Sequence, residues 1–478
     1  MSVPTAQAGR LTVGPDYQPP TNNAPAAFRD APEWKEATPS DSLPKGPWWE
    51  VFKDAALNAL MERATTNNQS LRAALARFDQ ARATARIERA DFFPRFDFNP
   101  EAKRDRFSRN EDPDLGVNSA TSIRVPVDLS YEIDLWGRVR RSFQSARAEA
   151  QASAADFHNA LLSVQAEVTQ RYFNLRSIDR QRAIVRISIR LRQEARDVLQ
   201  ARVDAGTAPE LDRARADTEL ASAEADMARL ERQRISHETA LAILTGEAAP
   251  RFGISEIAEI GPELPAIPAA LPSELLERRP DVAAAERQMA AASARIGVAK
   301  AGFFPVLRLT GSAGYASADL ESLFNWEGRV WSIGPSLSLP LFAGGRNRAT
   351  LARSRSAFEE ATATYRQQVL VAFGEVQENL SALQFLATES AAVGRTEEAA
   401  ARTFEYARAR YEGGIVSYLE VIESQRTLLA TRLDKARLAG QRQITLIQLI
   451  KALGGGWHRV VLSPNQNDNK PTAAPPRK

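Results

Sequence analysis

Side chains that commonly carry out chemistry are scarce in this sequence. It contains no cysteine and only three histidines (His158, His237 and His458), which lie far apart, in or beside helical stretches. Without cysteine, the chain has no disulfides, thiolate nucleophiles or zinc–thiolate sites. It also lacks a nucleophile–base set, a phosphate-binding loop and metal-ligand spacing. The composition therefore predicts a protein that is not an enzyme and that holds no cofactor or metal.

The glycine clusters argue against a nucleotide-binding protein, and the charge balance argues against a nucleic-acid-binding protein. Gly344-Gly345 and Gly454-Gly455-Gly456 match no nucleotide-binding fingerprint and are typical of helix ends. The 62 basic and 59 acidic residues give a net charge of only +3, and the pI near 9.1 follows from that small excess. We therefore expect no nucleic acid partner.

The elements that organise the chain come from a duplication. Ala90-Asp91-Phe92-Phe93-Pro94 recurs as Ala301-Gly302-Phe303-Phe304-Pro305, a shift of 211 positions. Each copy ends an Ala-rich helical run and is followed by residues of alternating polarity. Proline cannot continue a helix and favours an extended conformation in the residue before it. The sequence therefore predicts two helix-to-strand junctions, at Phe92, Phe93 and Pro94 and at Phe303, Phe304 and Pro305.

Residues of alternating polarity follow each junction, and from Thr121 the alternation is strict. From Ile123 to Leu135 every second residue is apolar, whereas the intervening positions include Arg124, Asp128 and Glu132. This period of two is typical of a strand whose two faces meet different surroundings. An amphipathic strand of a soluble sheet fits, and so does a barrel strand between lipid and a wet lumen. The run is longer than the ~9–11 residues that a barrel strand needs to span a membrane.

A long helical hairpin comes next in each copy. Apolar residues at steps of three and four continue from Gly137 without an intervening glycine or proline until Gly206. About 65 residues at ~1.5 Å each make a rod of roughly 100 Å, and a second helix returns from Glu210. A shift of 208 carries Gly206 onto Gly414, so the second copy has the same hairpin. Rods of this length predict a coiled-coil tube, stalk or spacer.

The predicted organisation is two structural repeats with connecting segments. Residues 1–53 form an extended N-terminal segment, 248–272 a Pro-rich linker and 457–478 a disordered tail. The first repeat, 54–247, has strands at about 95–107 and 121–135 and long helices at about 137–203 and 210–245. The second repeat, 273–456, has strands at about 306–317 and 330–341 and long helices at about 345–411 and 417–453.

Strand count limits how this chain can cross a membrane. No run approaches the ~18–20 apolar residues of a transmembrane helix. Met1 to Arg10 has no apolar core of a signal peptide, so the protein is cytosolic or its signal has been removed or replaced. Four strands cannot close a membrane barrel, which needs about eight or more, and open edges cannot face lipid.

The predicted fold class is therefore mainly α with β. Duplicated helix–strand–strand–helix–helix halves form, as a homotrimer, a 12-stranded transmembrane β-barrel continued by a long α-helical barrel. A soluble periplasmic coiled-coil scaffold or adaptor is the alternative. It explains the rods but leaves the strand alternation unexplained.

Several motifs resemble the TolC-type outer-membrane efflux channel family, in particular its NodT-like lipoproteins. The similarity covers roughly Val13 to Trp457. The motifs are Thr12-Val13-Gly14-Pro15-Asp16-Tyr17, the two Phe-Phe-Pro junctions, Asp134-Leu135-Trp136-Gly137-Arg138, Leu341-Phe342-Ala343-Gly344-Gly345-Arg346 and Leu276-Glu277-Arg278-Arg279-Pro280-Asp281.

This resemblance implies a trimeric channel-tunnel in the outer membrane of a Gram-negative bacterium, spanning into the periplasm. Such a channel is the outer-membrane factor of a tripartite resistance-nodulation-division pump. It is a passive export duct for drugs or other toxic small molecules. Its implied partners are outer-membrane lipid, a periplasmic adaptor (membrane-fusion protein) and an inner-membrane efflux pump. Lipoproteins of this group carry an acylated cysteine directly before the Thr-Val-Gly-Pro motif. Leu11 occupies that position here, so no lipidation of this kind is expected.

The resemblance also implies two functional sites. The hairpin tips, at Ala205-Gly206-Thr207 and Gly413-Gly414-Ile415, match positions where family channels meet the adaptor, although a plain helix-turn-helix link is equally compatible with glycine there. Leu419, Glu420, Glu423 and Arg426 match a periplasmic constriction. Leu419, Glu423 and Arg426 share one helix face, and three-fold symmetry would make a carboxylate ring of Glu423 that favours cations. A surface Glu423–Arg426 pair worth a few tenths of a kcal/mol is the alternative.

Overall fold

The structure is a computed structural model that describes residues 12–18, 46–106, 108, 119–257 and 279–455. Leu11, most of the N-terminal segment and of the Pro-rich linker, and the tail after 455 lie outside these ranges. The chain divides into two compact units. The first comprises 1–41, 67–164 and 272–378, and the second comprises 42–66, 165–271 and 379–478.

Seven α-helices and five β-strands occur in the described ranges. The helices are α1 (Ala55–Asn67), α2 (Gln69–Ala90), α3 (Arg138–Asp204), α4 (Glu210–Thr245), α5 (Pro280–Ala301), α6 (Arg346–Glu412) and α7 (Tyr418–Ala452). The strands are β1 (Arg95–Phe98), β2 (Glu101–Arg106), β3 (Ser119–Ile133), β4 (Val306–Ser317) and β5 (Arg329–Ser338).

None of the helices in the described ranges has an apolar stretch long enough to cross a membrane.

The first unit contains one antiparallel sheet with the order β1–β3–β4–β5, and β2 also pairs with β3. β1 and β2 keep a single register on β3, since Phe98 faces Val127 and Glu101 faces Arg124. They are therefore one interrupted strand, and the sheet is four strands wide. The interruption at Asn99-Pro100 differs from the continuous strand predicted at 95–107. Proline has no amide hydrogen to donate to the ladder, so Pro100 breaks the strand there.

The strand register places apolar side chains on one face across the whole sheet. Phe98, Val127, Ala313 and Trp331 lie side by side on this face, as successive register partners. On the other face, Asp97, Asp128, Ser312 and Ser332 form the neighbouring row. The apolar face is exposed, with Phe96 66% and Trp331 79% accessible. We call it the apolar face throughout, and the opposite one the polar face.

Two strands end earlier than their alternation predicts. β3 ends at Ile133 rather than Leu135, because the Asp134 carboxylate accepts hydrogen bonds from the amides of Val139 (3.2 Å) and Arg140 (3.0 Å) and so caps α3. β5 ends at Ser338 rather than 341, just before Pro340, which again cannot donate to a ladder.

At both helix-to-strand junctions the strand begins at the residue after the proline, with β1 at Arg95 and β4 at Val306. One phenylalanine of each pair packs inside the unit. Phe92 contacts Phe143 edge-on at 5.6 Å, and Phe304 stacks on Trp136 at 4.7 Å. The Trp136 indole also donates a 2.8 Å hydrogen bond to the Pro305 carbonyl. The other members, Phe93 and Phe303, are exposed.

Residues Thr12 to Tyr17 are held against α3 and α5. Asp16 accepts a 2.7 Å hydrogen bond from the buried Arg141 guanidinium, and the Tyr17 hydroxyl donates to Glu286 at 2.5 Å. Gly14 has φ +111° and lies so close to Gly297 that a Cβ on Gly14 would be 2.6 Å from the Gly297 Cα. The motif that carried the family resemblance is therefore a packed element of the first unit.

An ion cluster fixes the start of α5. The buried Arg279 guanidinium donates to Asp281 at 2.7 Å and to Glu375 at 2.6 Å, and Gln368 donates to Asp281 at 2.6 Å. Burial alone would raise the pKa of Asp281, but the pairing with Arg279 and the amide of Val282 together hold it below its usual value. The ionised carboxylate is thus the form that the fold stabilises.

Replacing Asp281 with asparagine is expected to destabilise the protein by about 2 kcal/mol near neutral pH, because the Arg279 guanidinium loses a charged partner. The folded pKa of Asp281 is lowered, so its contribution is present above about pH 4 and is lost as pH falls further. Thermal unfolding followed by circular dichroism should therefore show a wild-type advantage that shrinks as the pH falls below about 4.

Asp434→Asn is the matched control, since Asp434 is exposed and pairs within its helix with the exposed Arg437. That change should leave the free energy of unfolding within about 0.5 kcal/mol of the wild-type value. A pH-independent deficit in D281N would contradict the assigned role of the carboxylate.

Candidate constriction and hairpin tips

The two hairpin tips in the second unit have the same backbone geometry. At the first, Thr207 N–H donates to the Arg202 carbonyl (2.8 Å) and Gly206 N–H to the Val203 carbonyl (2.9 Å). At the second, Ile415 and Gly414 repeat these bonds at 2.9 Å each. This pair of bonds is the Schellman motif, which needs a left-handed residue after the helix. Gly206 and Gly414 supply it with φ of +68° and +71°.

The tips present small exposed residues with free space around them. A Cβ added to either Gly206 or Gly414 would meet nothing within 4 Å. Ala205, Thr207, Gly413 and Ile415 are also exposed. Another protein could therefore approach this backbone closely, and the glycines also satisfy the plain requirement of a tight turn.

Aromatic packing joins the two hairpins just behind the tips. Tyr418, Val421 and Ile422 of α7 form a buried cluster with Leu199 of α3 and Ala216 of α4. Tyr411 lies 5.4 Å from the Tyr418 ring, and the Arg202 guanidinium covers Tyr411 at 5.7 Å. Burial raises the pKa of Tyr418 to about 12, with smaller contributions from the nearby Tyr411 and Glu219, so the Tyr418 hydroxyl stays neutral.

Three of the four predicted constriction residues lie at or beside one groove, and the fourth, Arg426, has different surroundings. Glu420 and Glu423 lie on the wall of a groove between α6 and α7, and this groove is lined by Ala400, Thr403, Ala407, Glu420, Glu423, Ser424 and Thr427. Leu419 is exposed beside them, and Glu420 lies 3.7 Å from Arg410. Glu423 is exposed and has no ion-pair partner among the described residues.

Arg426 binds Glu219 of α4 rather than Glu423. Its Nε donates to Glu219 Oε1 at 2.7 Å, and its Nη2 contacts the same oxygen. The other carboxylate oxygen of Glu219 lies 3.1 Å from Arg192 Nη2, and Arg192 also donates to the Glu219 backbone carbonyl. The Glu423–Arg426 pair that the sequence left open is therefore absent from the ion pairs of the described residues.

The charges of this triad are unequally buried. Glu219 and Arg192 side chains are 7% and 6% exposed, whereas the Arg426 side chain is 58% exposed. Burial lowers the pKa of Arg192 despite the opposing effect of Glu219, and the hydrogen bonds to Glu219 raise the pKa of Arg426. One buried carboxylate thus serves two guanidiniums and ties α7 to the first hairpin.

Sequence reasoning missed Glu219 and Arg192. Glu219 is 207 residues from Arg426, so no local spacing reveals the pair. The repeat itself contains a signal, because the 208-residue shift places Arg426 at the position of Thr218, next to Glu219.

No group of three or more histidine, cysteine or acidic side chains arranged to hold a metal ion occurs in the described parts of the chain.

Long paired helices with small exposed tips, joined in sequence to strands that have one apolar face, define an outer-membrane channel. The family model for the outer membrane efflux protein matches residues 60–247 and again residues 271–455, once in each repeat. The chain belongs to this family of outer membrane efflux proteins.

Individual relatives match over nearly their whole length. The chain is 34% identical over 453 residues to the outer membrane protein OprJ of Pseudomonas aeruginosa. The alignment covers 94% of this chain and 94% of OprJ. It is 30% identical over 450 residues to the cation efflux system protein CusC of Escherichia coli, with 94% of this chain and 96% of CusC covered.

Solved structures agree with these sequence matches. A crystal structure of a membrane protein from Pseudomonas aeruginosa aligns with a TM-score of 0.85 and 33% identity, over 94% of this chain and 100% of the other. The outer-membrane channel OprN aligns with a TM-score of 0.83 and 30% identity, over 93% of this chain and 99% of OprN.

These findings confirm the predicted family, fold class and function. The protein is an efflux channel of a tripartite system in the outer membrane of a Gram-negative bacterium, and it spans into the periplasm. The alternative of a soluble scaffold is set aside, and the proteins of this family are channels rather than enzymes.

Proposed function

We propose that three copies of this chain close a 12-stranded barrel and form a passive export duct without an active site. The supporting observation is a sheet four strands wide with two open edges, β1/β2 and β5, and one exposed apolar face. In lipid, each unpaired backbone group at an open edge costs several kcal/mol. Pairing β5 of one copy with β1/β2 of the next removes every edge when three copies close a ring.

The polar face then lines the lumen, and the apolar face meets lipid. Phe93 and Phe303, exposed beside the first residues of β1 and β4, lie at the periplasmic rim of this barrel. Aromatic residues are enriched at such membrane interfaces because their rings suit the headgroup region.

The cysteine-free sequence makes the edge pairing directly testable. We would introduce one cysteine on the polar face of β5, at Ser332, and a second at successive polar-face positions of the opposite edge, namely Asp97, Asn99, Glu101 and Lys103. At least one combination should give disulfide-linked oligomers up to a trimer on non-reducing gels. Directly opposite residues of paired strands have Cβ atoms about 4.5–5.5 Å apart, and closer in non-hydrogen-bonded pairs, which approaches the ~3.5–4.5 Å of a disulfide.

A cysteine pair at Asp128 and Ser312 is the matched control, since these register partners lie within one chain and should give only an intrachain bond. The oligomeric mass in detergent and the conductance across a planar bilayer complete the test. A monomer without conductance, or a scan without intermolecular bonds, would contradict the proposed barrel.

The hairpin tips are the proposed contact with the periplasmic adaptor, at Ala205, Gly206 and Thr207 and at Gly413, Gly414 and Ile415. Their support is the exposed, repeated turn with open space over each positive-φ glycine. The adaptor would connect the duct to an inner-membrane pump, which supplies the energy for exporting drugs or other toxic small molecules.

The constriction is proposed at Leu419, Glu420, Glu423 and Arg426. Symmetry would bring three copies of the exposed Glu423 together, and three like charges favour cations over anions. The Arg426–Glu219 pair would hold α7 against the first hairpin and so keep the periplasmic end narrow.

A further inference from the structure

The apolar face of the sheet changes character toward the loops between its strands. Near the helices it carries Phe96, Phe98 and Leu337 and no charged side chain. At the loop end, alternation places Arg104 and Arg106 of β2 and Arg329 of β5 on the same face, since these are register neighbours of Thr121, Ser119 and Tyr315. All three arginines are exposed.

These arginines differ from the basic residues of the polar face. There, Arg95 lies 2.8 Å from Asp97, and Lys103 lies 3.2 Å from Asp105. Among the described residues, Arg104, Arg106 and Arg329 have no carboxylate within ion-pair distance. Within the described ranges, these three arginines therefore lack an acidic partner, whereas Arg95 and Lys103 of the polar face each have one.

Aromatic side chains mark the level of Arg329 on the apolar face. Tyr315 contacts Phe324 at 5.4 Å, and the Arg329 guanidinium covers the Trp326 ring while its Nε donates to the Trp326 carbonyl at 3.1 Å. Trp326 and the neighbouring Trp331 are exposed. Tryptophan and tyrosine settle at the boundary between hydrocarbon and headgroups, so this level coincides with lipid headgroups.

We infer that Arg104, Arg106 and Arg329 bind the phosphate groups of a phosphorylated glycolipid in the outer leaflet. A guanidinium presents a planar fork that matches phosphate oxygens, and at the headgroup level it keeps its charge in a polar layer. The inference rests on the proposed barrel, in which β5 of one copy pairs with β1/β2 of the next. That closure places Arg329 of one copy at the same boundary as Arg104 and Arg106 of its neighbour, so each of three boundaries carries three arginines.

The test is lipid binding by the purified oligomer in detergent micelles, measured by native mass spectrometry. The probes are bisphosphorylated lipid A and the same lipid with both phosphates removed. Wild type should retain the phosphorylated lipid and not its dephosphorylated form. Replacing Arg104, Arg106 and Arg329 together with glutamine should weaken retention roughly 100-fold, at ~1 kcal/mol for each basic residue near a charged membrane surface.

A triple variant of the polar face, Arg95→Gln with Lys103→Gln and Arg124→Gln, removes the same charge from the opposite face of the sheet and should bind like wild type. Equal binding of the two lipids by wild type, or undiminished binding by the apolar-face variant, would overturn the inference. Displacement of the lipid by millimolar inorganic phosphate alone would also overturn it, because the site would then be a free-phosphate site.

The planar-bilayer conductance of each variant separates this inference from the proposed function. A wild-type oligomer that conducts but binds the phosphorylated and dephosphorylated lipids equally would refute only the lipid site. A protein that neither assembles nor conducts refutes the barrel on which the lipid site depends.

Discussion

Replacing Arg426 with alanine is expected to raise the conductance of the reconstituted channel about tenfold. Arg426 is the exposed member of the triad, so its removal leaves Glu219 paired with Arg192 and the fold intact. Hydrogen bonds to a charged group contribute about 1.5 kcal/mol or more, and 1.4 kcal/mol shifts an open–closed equilibrium tenfold. Single-channel recordings in a planar bilayer measure the effect.

The matched control is Arg437→Ala, also on α7. Arg437 pairs only with Asp434 of its own helix among the described ion pairs, at 3.0 Å, so it ties α7 to no other element. Its removal should leave conductance unchanged. Arg426→Lys should give an intermediate conductance, because lysine keeps the charge but loses the planar fork. An R426A channel with wild-type conductance would remove the triad from gating.

Replacing Gly314 with alanine is expected to prevent assembly of the oligomer. Gly314 of β4 lies opposite Pro126 of β3, and a Cβ at this glycine would be 2.1 Å from the Val125 carbonyl oxygen. The clash is with backbone, so no change of rotamer relieves it, and overpacking of this kind costs about 3 kcal/mol or more. Separation of β3 from β4 would open the sheet at its centre.

Gly334→Ala provides the control within the same sheet. An added Cβ at Gly334 of β5 meets nothing within 4 Å, so the oligomer should assemble normally. Size-exclusion chromatography of membrane extracts gives the fraction of oligomer for both variants. Normal assembly of G314A would show that β3 and β4 do not pair as closely as the register requires.

Much of the fold was readable from local pattern. The alternation of polar and apolar residues predicted β3 and β4, and apolar residues spaced three and four apart predicted α3 and α6. The Phe-Phe-Pro motif predicted both helix-to-strand junctions. These features depend on neighbouring residues alone, because strand and helix periods fix which side chains share a face. The strand ends were less predictable, since Asp134 acts as a helix cap that interrupts an otherwise regular alternation.

Only part of the candidate site could be predicted from the sequence. The turns at the glycine tips followed from turn chemistry, which is local, and the structure adds that Gly206 and Gly414 adopt a left-handed conformation. The partner of Arg426 did not follow, since helix spacing offered only a pair with the nearby Glu423, as an alternative. A carboxylate 207 residues away competes successfully because it is buried on a neighbouring helix, where desolvation strengthens its attraction for a guanidinium.

The sequence by itself determined the duplicated order of elements, the two faces of the sheet, the glycine tips and the family. Only the tertiary structure decided that Phe92 and Phe304 pack inside while Phe93 and Phe303 stay exposed. It also decided that Arg426 binds Glu219 and that Arg104, Arg106 and Arg329 lie on the apolar face without a described acidic partner. The reason is that these outcomes depend on contacts and strand register between distant segments, whereas periodicity reports only which way a side chain points from its own strand or helix.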